Sequence, residues 1–397
     1  LYRLHNAGYE AYLVGGAVRD LLLGHTPKDF DIATSARPEE VKSLFRNCRL
    51  IGRRFRLAHV FFGRDIVEVA TFRGEQPEEN GDHQNDEGMI VRDNVYGSLE
   101  EDAMRRDFTV NALYYNIADF SIVDYGGGVS DLEEGLLRLL GDPWKRYRED
   151  PVRLLRAARF AAKLDFVIEE RTAAPIFELG ELLEGVPDAR LFDELLKLLM
   201  AGQAHVSFRI LQKYALLAHL FPQTASALEG EHAERTASLI NQGLLNTDQR
   251  IAAEMPVTPA FLFAVLLWEP VRRSAETKRG EEGMAAIPAI QHAAAQVISQ
   301  QSRAIPIHKR YTIMMSEIWS LQPRFLNRKG KRPARLFHHP RFRAAYDFLL
   351  LRAQCGEIEE EVAQWWTDYQ QSHPDVHKHI PKTRTRRRSR PRGKRAP

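Results

Sequence analysis

The chain has 397 residues, of which 44% are apolar, so it is long enough for two or three domains and has the composition of an ordinary globular protein. The longest apolar run, residues 261–268, is much shorter than the roughly 20 residues of a membrane helix, and no targeting segment opens the chain. We therefore expect a cytoplasmic protein with no membrane span. Cys48 and Cys355 are far apart and lack metal-ligand spacing, which favours reduced thiols. Because the chain begins at Leu1 within a helical pattern, we also expect a segment upstream.

The net charge of +3 conceals an uneven distribution. Residues 382–397 carry nine Lys or Arg and no acidic residue, which leaves about −6 on residues 1–381. A block of like charge with Pro, Ser and Gly cannot form a core, so we predict a disordered basic tail. Its arginines, among them Arg386, Arg387 and Arg388, favour binding to RNA phosphates; the alternative is a solvated tail without a ligand.

The first 142 residues alternate between strand and helix patterns. Glycine, proline and capping residues separate the elements, and Ser98 with Glu101 forms a predicted capping box. In chain order we predict a strand (10–14), a glycine turn and helix (15–24), a strand (29–34) with Phe30 buried, a helix from Pro38, a hairpin (59–72), a mobile acidic loop (74–89), a helix (99–113), a hairpin (113–126) and a short strand (136–141).

After Pro143 the apolar spacing is helical, and we predict no further strand. We therefore expect an α/β head at residues 1–142, a helical neck at 143–202 and a helical body or leg at 203–355. A polar segment, residues 356–397, would follow and end in the basic tail.

Asp29 and Asp31 alternate on a predicted strand, which directs both carboxylates to one face about 7 Å apart. Two like charges at this distance repel, and a divalent cation between them relieves the repulsion. Carboxylates combined with waters and substrate phosphates suit Mg²⁺. The alternative is an aspartate pair at a strand edge or helix cap.

The glycine turn ahead of this strand favours a phosphate ligand. Gly15 and Gly16 let the backbone approach an anion at the start of a helix, and Arg19 lies one turn further on. A strand, a glycine pair, a helix and a second strand with two aspartates together predict a triphosphate held over metal ions.

Chemistry with two metal ions usually needs a third carboxylate. Asp107 and Glu68 are the candidates, with Glu68 in reserve. For Glu68 the alternative is an outward-facing polar residue on an alternating strand. For Asp107 it is an ion pair on a helix surface with Arg105 or Arg106.

Four segments, residues 13–33, 105–113, 123–143 and 148–164, resemble in order the motifs of the bacterial (class II) poly(A) polymerase and tRNA nucleotidyltransferase superfamily. The resemblance implies an α/β nucleotidyltransferase head of the polymerase-β type with a mixed sheet, followed by an all-α neck, body and leg. It also implies Mg²⁺ as cofactor and a nucleoside triphosphate as substrate.

Matched motif by motif, the resemblance assigns site residues. It makes Asp29, Asp31 and Asp107 catalytic, with the first two binding metal. The implied nucleotide-binding residues are Gly15, Gly16, Arg19 and Arg106 for the triphosphate, Asn111 near the ribose, Asp150 and Arg153 for the base edge, and Arg156 for the nucleotide. Asp150 precedes Arg153 by three residues, so the pair can brace one another.

Adenylate addition and CCA addition share these motifs. Residues 50–60, with Arg53, Arg54 and Arg56 as candidate RNA contacts, resemble a segment that marks bacterial poly(A) polymerases. Residues 327–348 alternate basic and aromatic side chains, a composition that suits RNA backbone contact and base stacking or, alternatively, ordinary amphipathic helices.

Our hypothesis is a template-independent polynucleotide adenylyltransferase that uses ATP and RNA 3′ ends and has no DNA substrate. The resemblance also implies RNA-decay protein partners. The alternatives are a CCA-adding enzyme and, from another class, a non-catalytic RNA-binding adaptor.

Overall fold

The computed structural model describes residues 1–52, 56–74 and 95–373. Arg53, Arg54, most of the predicted acidic loop and the predicted disordered tail with Arg386, Arg387 and Arg388 lie outside these residues. The head contains a seven-stranded mixed sheet in the order β3-β4-β5-β2-β1-β6-β7. Its strands are β1 (Ala11–Val14), β2 (Asp31–Thr34), β3 (Cys48–Ile51), β4 (Leu57–Phe62), β5 (Asp65–Thr71), β6 (Leu113–Asn116) and β7 (Ile122–Asp124).

The sheet is central to the head and carries helices around it. β2 and β5 are parallel, whereas the other neighbouring pairs are antiparallel. The head helices are α1 (Tyr2–Asn6), α2 (Gly16–Leu22), α3 (Pro38–Leu44), α4 (Leu99–Met104) and α5 (Gly128–Glu134). Both predicted hairpins are confirmed, as is the capping box, in which Ser98 and Glu101 each accept a backbone N–H of the other.

The predicted strand over residues 29–34 is two residues too long. β2 begins at Asp31, which pairs with Val14, the last residue of β1. The next residue, Gly15, has a φ of +73° and turns the chain into α2, so residue 30 has no partner on that strand. Asp29 therefore lies just ahead of the strand, and Phe30 is 45% exposed instead of buried.

The predicted helix over residues 99–113 is also too long, because α4 ends at Met104. Phe108 forms a β-bridge with Leu139, and the Thr109 N–H donates to the Arg138 carbonyl. These contacts draw the chain out of the helical path, so Asp107 lies in a loop before a 3₁₀ turn at Thr109–Asn111.

The rest of the described chain is helical except for one short pair of strands. β8 (Leu136–Leu137) pairs in parallel with β9 (Val167–Ile168), so the prediction of no strand after Pro143 is wrong by this element. The helices are α6 (Pro143–Glu149), α7 (Val152–Leu164), α8 (Glu170–Ala173), α9 (Ile176–Leu179), α10 (Asp188–Met200), α11 (Ala204–Lys213), α12 (Leu216–Leu220), α13 (Pro222–Ala227), α14 (Ala233–Ala252), α15 (Pro259–Leu266), α16 (Trp268–Glu281), α17 (Ala286–Ala304), α18 (Lys309–Phe325), α19 (Arg332–Phe337), α20 (Phe342–Gln354) and α21 (Glu360–Ser372), with a 3₁₀ segment at Gly180–Gly185.

One hydrophobic core joins the head to the helical region. It runs from β1 and α2 through the apolar faces of α7 and α10 to α15, α17 and α18. The predicted boundaries at residues 142 and 202 stay predictions, since this core crosses both.

The segment after residue 355 is not simply polar. α21 packs on α20, and Val362, Ala363 and Trp366 are buried in a second aromatic cluster. Trp366 is fully buried and donates its indole N–H to the Phe325 carbonyl at 2.9 Å. Helical spacing of these three residues on one face was the signal that the polar composition obscured. Within the parts of the chain that the structure describes, none of the helices has the length and apolar character that crossing a bilayer requires.

Candidate active site

Three carboxylates, Asp29, Asp31 and Glu68, lie together on the head sheet where the inner strand β2 begins, and we call this surface the acidic edge. Glu68 on β5 is in parallel register with Asp31 on β2, and Asp29 lies two residues before Asp31. Glu68 is 48% exposed and contacts His59 Nε2 at 3.0 Å. Surrounding protein atoms and the Glu68 charge raise the pKa of Asp31, while Arg106 lowers it and Asp29 raises it further. Asp31 nevertheless reaches solvent, so this acidic edge is a solvent-accessible surface on which Asp29 and Glu68 both repel the charge of Asp31.

The acidic edge fits a divalent cation that takes some of its ligands from the protein and the others from a bound substrate. Asp29, Asp31 and Glu68 supply hard carboxylate oxygens, the donors that Mg²⁺ prefers. In the described parts of the chain, no three or more His, Cys, Asp or Glu side chains are placed together so that they could hold a metal ion by themselves. A cation bound here would therefore take its other ligands from waters and from triphosphate oxygens, as Mg²⁺ commonly does.

The glycine turn adjoins this edge. Gly15 needs its positive φ, which side chains other than glycine rarely adopt, and its N–H donates to the Leu113 carbonyl at 3.1 Å. A Cβ built on Gly15 would lie 3.5 Å from Arg106 Nη1, and one on Gly16 would lie 3.4 Å from Arg19 Nη2. Two guanidinium groups therefore flank the turn, as the sequence predicts.

The two guanidiniums differ in exposure. Arg19 is only 2% exposed; it donates to Asp20 Oδ1 through Nε and Nη2, at 2.8 and 2.6 Å, and through Nη1 to Asn111 Oδ1. It also lies over the Phe160 ring of α7, 5.4 Å from its centroid. Arg19 therefore has its contacts within the protein, and its expected contact with the triphosphate stays a prediction.

Arg106 is the more accessible of the two. Its Nε donates to the Tyr114 hydroxyl at 2.7 Å and its Nη2 to Asp102 Oδ2 at 3.1 Å. Burial by itself lowers the pKa of Arg106, but Tyr114 and Asp102 raise it overall, so the group is a fixed cation. Asp102 is buried and also accepts from the Tyr114 hydroxyl at 2.6 Å.

The hydrogen-bond partners of Asp107 are residues other than the carboxylates of the acidic edge. Arg156 of α7 donates to Asp107 Oδ2 through Nε at 2.8 Å and also through Nη2. Phe108 N–H and Asn111 Nδ2 donate to the other oxygen, at 2.8 and 3.2 Å. Burial alone would raise the pKa of Asp107, but Arg156 and these donors lower it to about 2. The alternative prediction paired Asp107 with Arg105 or Arg106. The structure instead pairs Asp107 with Arg156 of α7, so this ion pair links the head to the neck.

A charged cleft of about 380 Å³ opens beside Asp107, and both predicted base-reading residues, Asp150 and Arg153, line it. We call it the nucleotide cleft. It is lined by Arg73, Arg105, Arg106, Asp107, Asp150, Val152, Arg153, Arg156, Arg190, Asp193, Glu194 and Lys197.

The predicted side-chain pair of Asp150 and Arg153 is replaced by contacts of each residue with other partners. Arg190 of α10 holds both oxygens of Asp150, at 2.7 and 2.6 Å. Arg153 donates through Nη1 to the Arg146 carbonyl at 2.6 Å and to Glu149 Oε2 at 3.3 Å. Asp150 ends α6, so its carboxylate turns across the cleft towards α10.

Sequence reasoning missed three residues of this site. Arg190 and Glu194 occupy the polar face of the amphipathic α10, four residues apart, and Glu194 is buried against Arg159 Nε. Arg146 donates to the carbonyls of Arg105 and Arg106, both at 2.6 Å, and so ties the neck to the end of α4. The signal available in the sequence was an arginine and a glutamate four residues apart in an amphipathic helix pattern.

Of the predicted RNA contacts, Arg56 and residues 327–348 lie within the described part of the chain. Arg56 forms an exposed ion pair with Glu39 at 2.6 Å, and both side chains are 59% exposed. In residues 327–348 the aromatic side chains of Phe337, Phe342 and Tyr346 are buried in the core. Base stacking by these rings is therefore excluded, while the basic residues of the segment remain on the surface.

Comparisons with known proteins agree with this geometry. A family model for the poly(A) polymerase head domain matches residues 11–138. Models for a probable RNA and SrmB-binding site of polymerase A and for the arginine-rich C-terminus of polymerase A match residues 165–228 and 282–397. Poly(A) polymerase I of Salmonella typhimurium is 51% identical over 410 residues, covering 100% of this chain and 88% of its own length. The Haemophilus influenzae enzyme of that name is 47% identical over 397 residues, covering 99% and 88%.

CCA-adding enzymes match less of the chain. That of Lactobacillus helveticus is 40% identical over 210 residues, 53% of this chain and 51% of its own.

Among solved structures, a tRNA nucleotidyltransferase complexed with a primer tRNA and an incoming ATP analogue has a TM-score of 0.63 at 23% identity, covering 95% of this chain and 98% of its own. A CCA-adding enzyme in apo form II has a TM-score of 0.64, also at 23%, covering 94% and 81%. These structures confirm the predicted fold class of a mixed-sheet nucleotidyltransferase head with a helical body. Since relatives about half identical span its whole length, the chain belongs to the poly(A) polymerase I family.

Proposed function

We propose that this nucleotidyltransferase adds AMP from ATP to RNA 3′ ends without a template and releases pyrophosphate. The observation that carries the proposal is that Arg106 belongs to both the acidic edge and the nucleotide cleft. Its charge lowers the pKa of Asp31, and its side chain lines the cleft. The acidic edge suits metal-bound phosphates and the nucleotide cleft suits a nucleoside. Full-length relatives named poly(A) polymerase I support adenylate as the product.

The reaction is a nucleophilic displacement at phosphorus. The oxygen of the RNA 3′-hydroxyl forms a bond to the α-phosphorus of ATP, the bond from that phosphorus to the bridging oxygen breaks, and pyrophosphate leaves. The hydroxyl proton passes to solvent. We assign Asp29 and Asp31 to hold Mg²⁺ at the reacting phosphate. A cation bound there would lower the pKa of the hydroxyl and stabilise the charge on pyrophosphate.

The third carboxylate, on our reading, is Glu68 and not Asp107. Glu68 is in register with Asp31 and raises the pKa of that carboxyl by its charge. Asp107 is committed to Arg156, Asn111 and the Phe108 N–H. We assign Asp107 to shape the nucleotide cleft, where it fixes the Arg156 guanidinium.

The glycine turn and two arginines complete the triphosphate site in this proposal. Gly15 and Gly16 bring the backbone close to the phosphates, and Arg106 supplies a fixed positive charge to them. Arg19 acts indirectly: its buried guanidinium orients Asn111, which we expect to approach the ribose.

Base recognition is assigned to Asp150 and Arg153, since an acceptor and donors side by side match the edge of adenine. Reading by protein side chains needs no nucleic-acid template. CCA addition draws no comparable support, because the relatives of that name cover about half of this chain. Protein partners in RNA decay, a cytoplasmic location and the absence of a DNA substrate stay predictions.

A nucleotide-incorporation assay tests the proposal. The protein is incubated with Mg²⁺, labelled ATP or CTP, and either a generic RNA or a tRNA that lacks its CCA end. We expect ATP-dependent growth of the generic RNA, with one pyrophosphate released for each AMP added. Incorporation of CTP into tRNA alone would contradict adenylate addition, and RNA binding without pyrophosphate release would revive the adaptor hypothesis.

A further inference from the structure

A second cavity lies in the helical body, and none of its lining residues belongs to the nucleotide cleft. It has a volume of about 530 Å³, which is within the range of ligand-binding pockets. α14, α15, α18, α20 and the turn at residues 255–258 form its walls. We call it the body cavity.

The walls of the body cavity combine apolar surface with positive charge. Phe261 and Met314 are partly exposed on one side, and Leu350 lies on α20. The charged lining residues are three arginines and one aspartate: Arg250, Arg341, Arg343 and Asp347. Apolar walls with an excess of guanidinium groups suit a nucleotide, whose base is flat and apolar on its faces and whose phosphate is an anion.

The three guanidiniums are held in place but keep unused donors. Arg343 pairs with Asp347 at 2.9 Å, and Arg341 donates through Nε to Glu317 Oε2 at 2.8 Å. Arg250 donates through Nη2 to the Pro256 carbonyl at 3.0 Å. Because each guanidinium has five N–H donors, these contacts orient the groups and leave others for a phosphate.

The position of the body cavity relates it to the site of reaction. α10 carries Arg190 and Glu194 at the nucleotide cleft and also packs against α14 and α15, which line the body cavity. An RNA whose 3′ end reaches the acidic edge has upstream nucleotides that must pass over the helical region. The body cavity would bind one of them.

We propose that the body cavity binds one upstream nucleotide of single-stranded RNA, with its base against Phe261 and Met314 and its phosphate among Arg250, Arg341 and Arg343. This inference rests on the proposed function only in taking RNA as the ligand. It predicts an affinity that rises in a step once the RNA is long enough to reach from the acidic edge to the body cavity.

The test compares oligoadenylates of increasing length, from four to twenty nucleotides. Binding of fluorescein-labelled oligomers to the full chain is followed by fluorescence anisotropy without ATP. The first variant is Arg341→Gln with Arg343→Gln, and the matched control is Arg303→Gln, an exposed arginine on α17 that does not line the body cavity. We expect the double variant to lose the step and to bind the 20-mer about 5- to 20-fold more weakly. The slope of log Kd against log salt should fall by about 0.7, because one phosphate contact to a single strand is lost.

A second variant separates stacking from charge. Phe261→Leu removes the ring but retains apolar volume, so we expect about 3- to 10-fold weaker binding of the 20-mer and an unchanged salt slope. In both variants the KM for ATP with a tetranucleotide primer should match that of the unsubstituted protein. If the variants and the control bind every length as the unsubstituted protein does, the proposal is wrong, and a protein segment becomes the better occupant. If the unsubstituted protein transfers no AMP to any RNA, the proposed function is wrong. The binding data, measured without ATP, still decide whether the body cavity binds RNA.

Discussion

The acidic edge and the nucleotide cleft are neighbours, but their charges are arranged in opposite ways. At the acidic edge, Asp31, Glu68 and Asp29 repel one another and reach solvent. In the nucleotide cleft, Asp107 is paired with Arg156, and Asp150 with Arg190. On the proposed function, cations and phosphates would offset the repulsion at the acidic edge, whereas the charges of these two pairs in the nucleotide cleft are already balanced within the protein. Removing a carboxylate should therefore lower activity alone at the acidic edge, and should lower both activity and stability in the nucleotide cleft.

The largest effect is expected from Asp31→Asn. The substitution removes a metal-binding charge from an exposed position, so activity should fall by at least about 1,000-fold while stability changes little. The melting temperature should remain within a few degrees, or rise, because one repelling charge is gone. Steady-state AMP incorporation and thermal unfolding measure the two quantities.

The control for this variant is Asp65→Asn, an exposed carboxylate at the start of β5. It should retain nearly full activity. An Asp31→Asn protein that elongates RNA at the rate of this control would remove Asp31 from the mechanism.

Asp107→Asn should damage both activity and stability. It leaves the Arg156 guanidinium without its carboxylate, and loss of one partner of a buried pair costs about 3 kcal/mol in unfolding free energy. The shape of the nucleotide cleft depends on that guanidinium, so we also expect about a 100-fold loss in kcat/KM for ATP. Urea unfolding and initial rates give the two numbers, and Asp107→Asn combined with Arg156→Gln should regain stability but not activity.

The same pair predicts a pH dependence of stability. The pKa of Asp107 is lowered in the folded protein to about 2. A carboxyl with a lowered pKa stabilises the fold above its unfolded pKa, near 3.9, and this stabilisation is lost as the pH falls towards 2. Unfolding free energies between pH 5 and pH 2 should therefore fall more steeply for the unsubstituted protein than for Asp107→Asn, and parallel curves would contradict the assignment.

Arg190→Gln should have an intermediate effect on activity, and only the use of the nucleotide substrate should change. Arg190 orients both oxygens of Asp150, so its loss frees the carboxylate to rotate away from the base. We expect kcat/KM for ATP to fall about 10- to 30-fold and the preference for ATP over CTP to narrow. Arg209→Gln, on an exposed position of α11, is the control and should leave both unchanged. An unaltered preference in Arg190→Gln would show that Asp150 does not depend on Arg190.

Local patterns in the sequence predicted most of the head, including both hairpins, the capping box and the glycine turn between strand and helix. Each of these depends on residues close in sequence. The pairs Asp107–Arg156 and Asp150–Arg190 join residues 49 and 40 positions apart, so spacing along the chain could not reveal them. The start of β2 at Asp31 likewise follows from the turn at Gly15, which directly follows the neighbouring strand β1. The family motifs named the candidate residues, but the partners of those residues came from tertiary packing.

The smallest effect, and the sharpest test of the acidic edge, is expected from Glu68→Gln. Because the Glu68 charge raises the pKa of Asp31, its removal should lower that pKa and move the acidic limb of the rate–pH profile to lower pH. On the plateau above the acidic limb, we expect only about a 3- to 10-fold loss from the missing oxygen ligand. The measurement is kcat/KM for ATP from pH 5 to 9 at saturating Mg²⁺, with Glu133→Gln, an exposed carboxylate on α5, as the control. If the acidic limb stays where it was, Glu68 and Asp31 do not titrate together in the working enzyme, and Asp107 regains its place as the candidate third carboxylate.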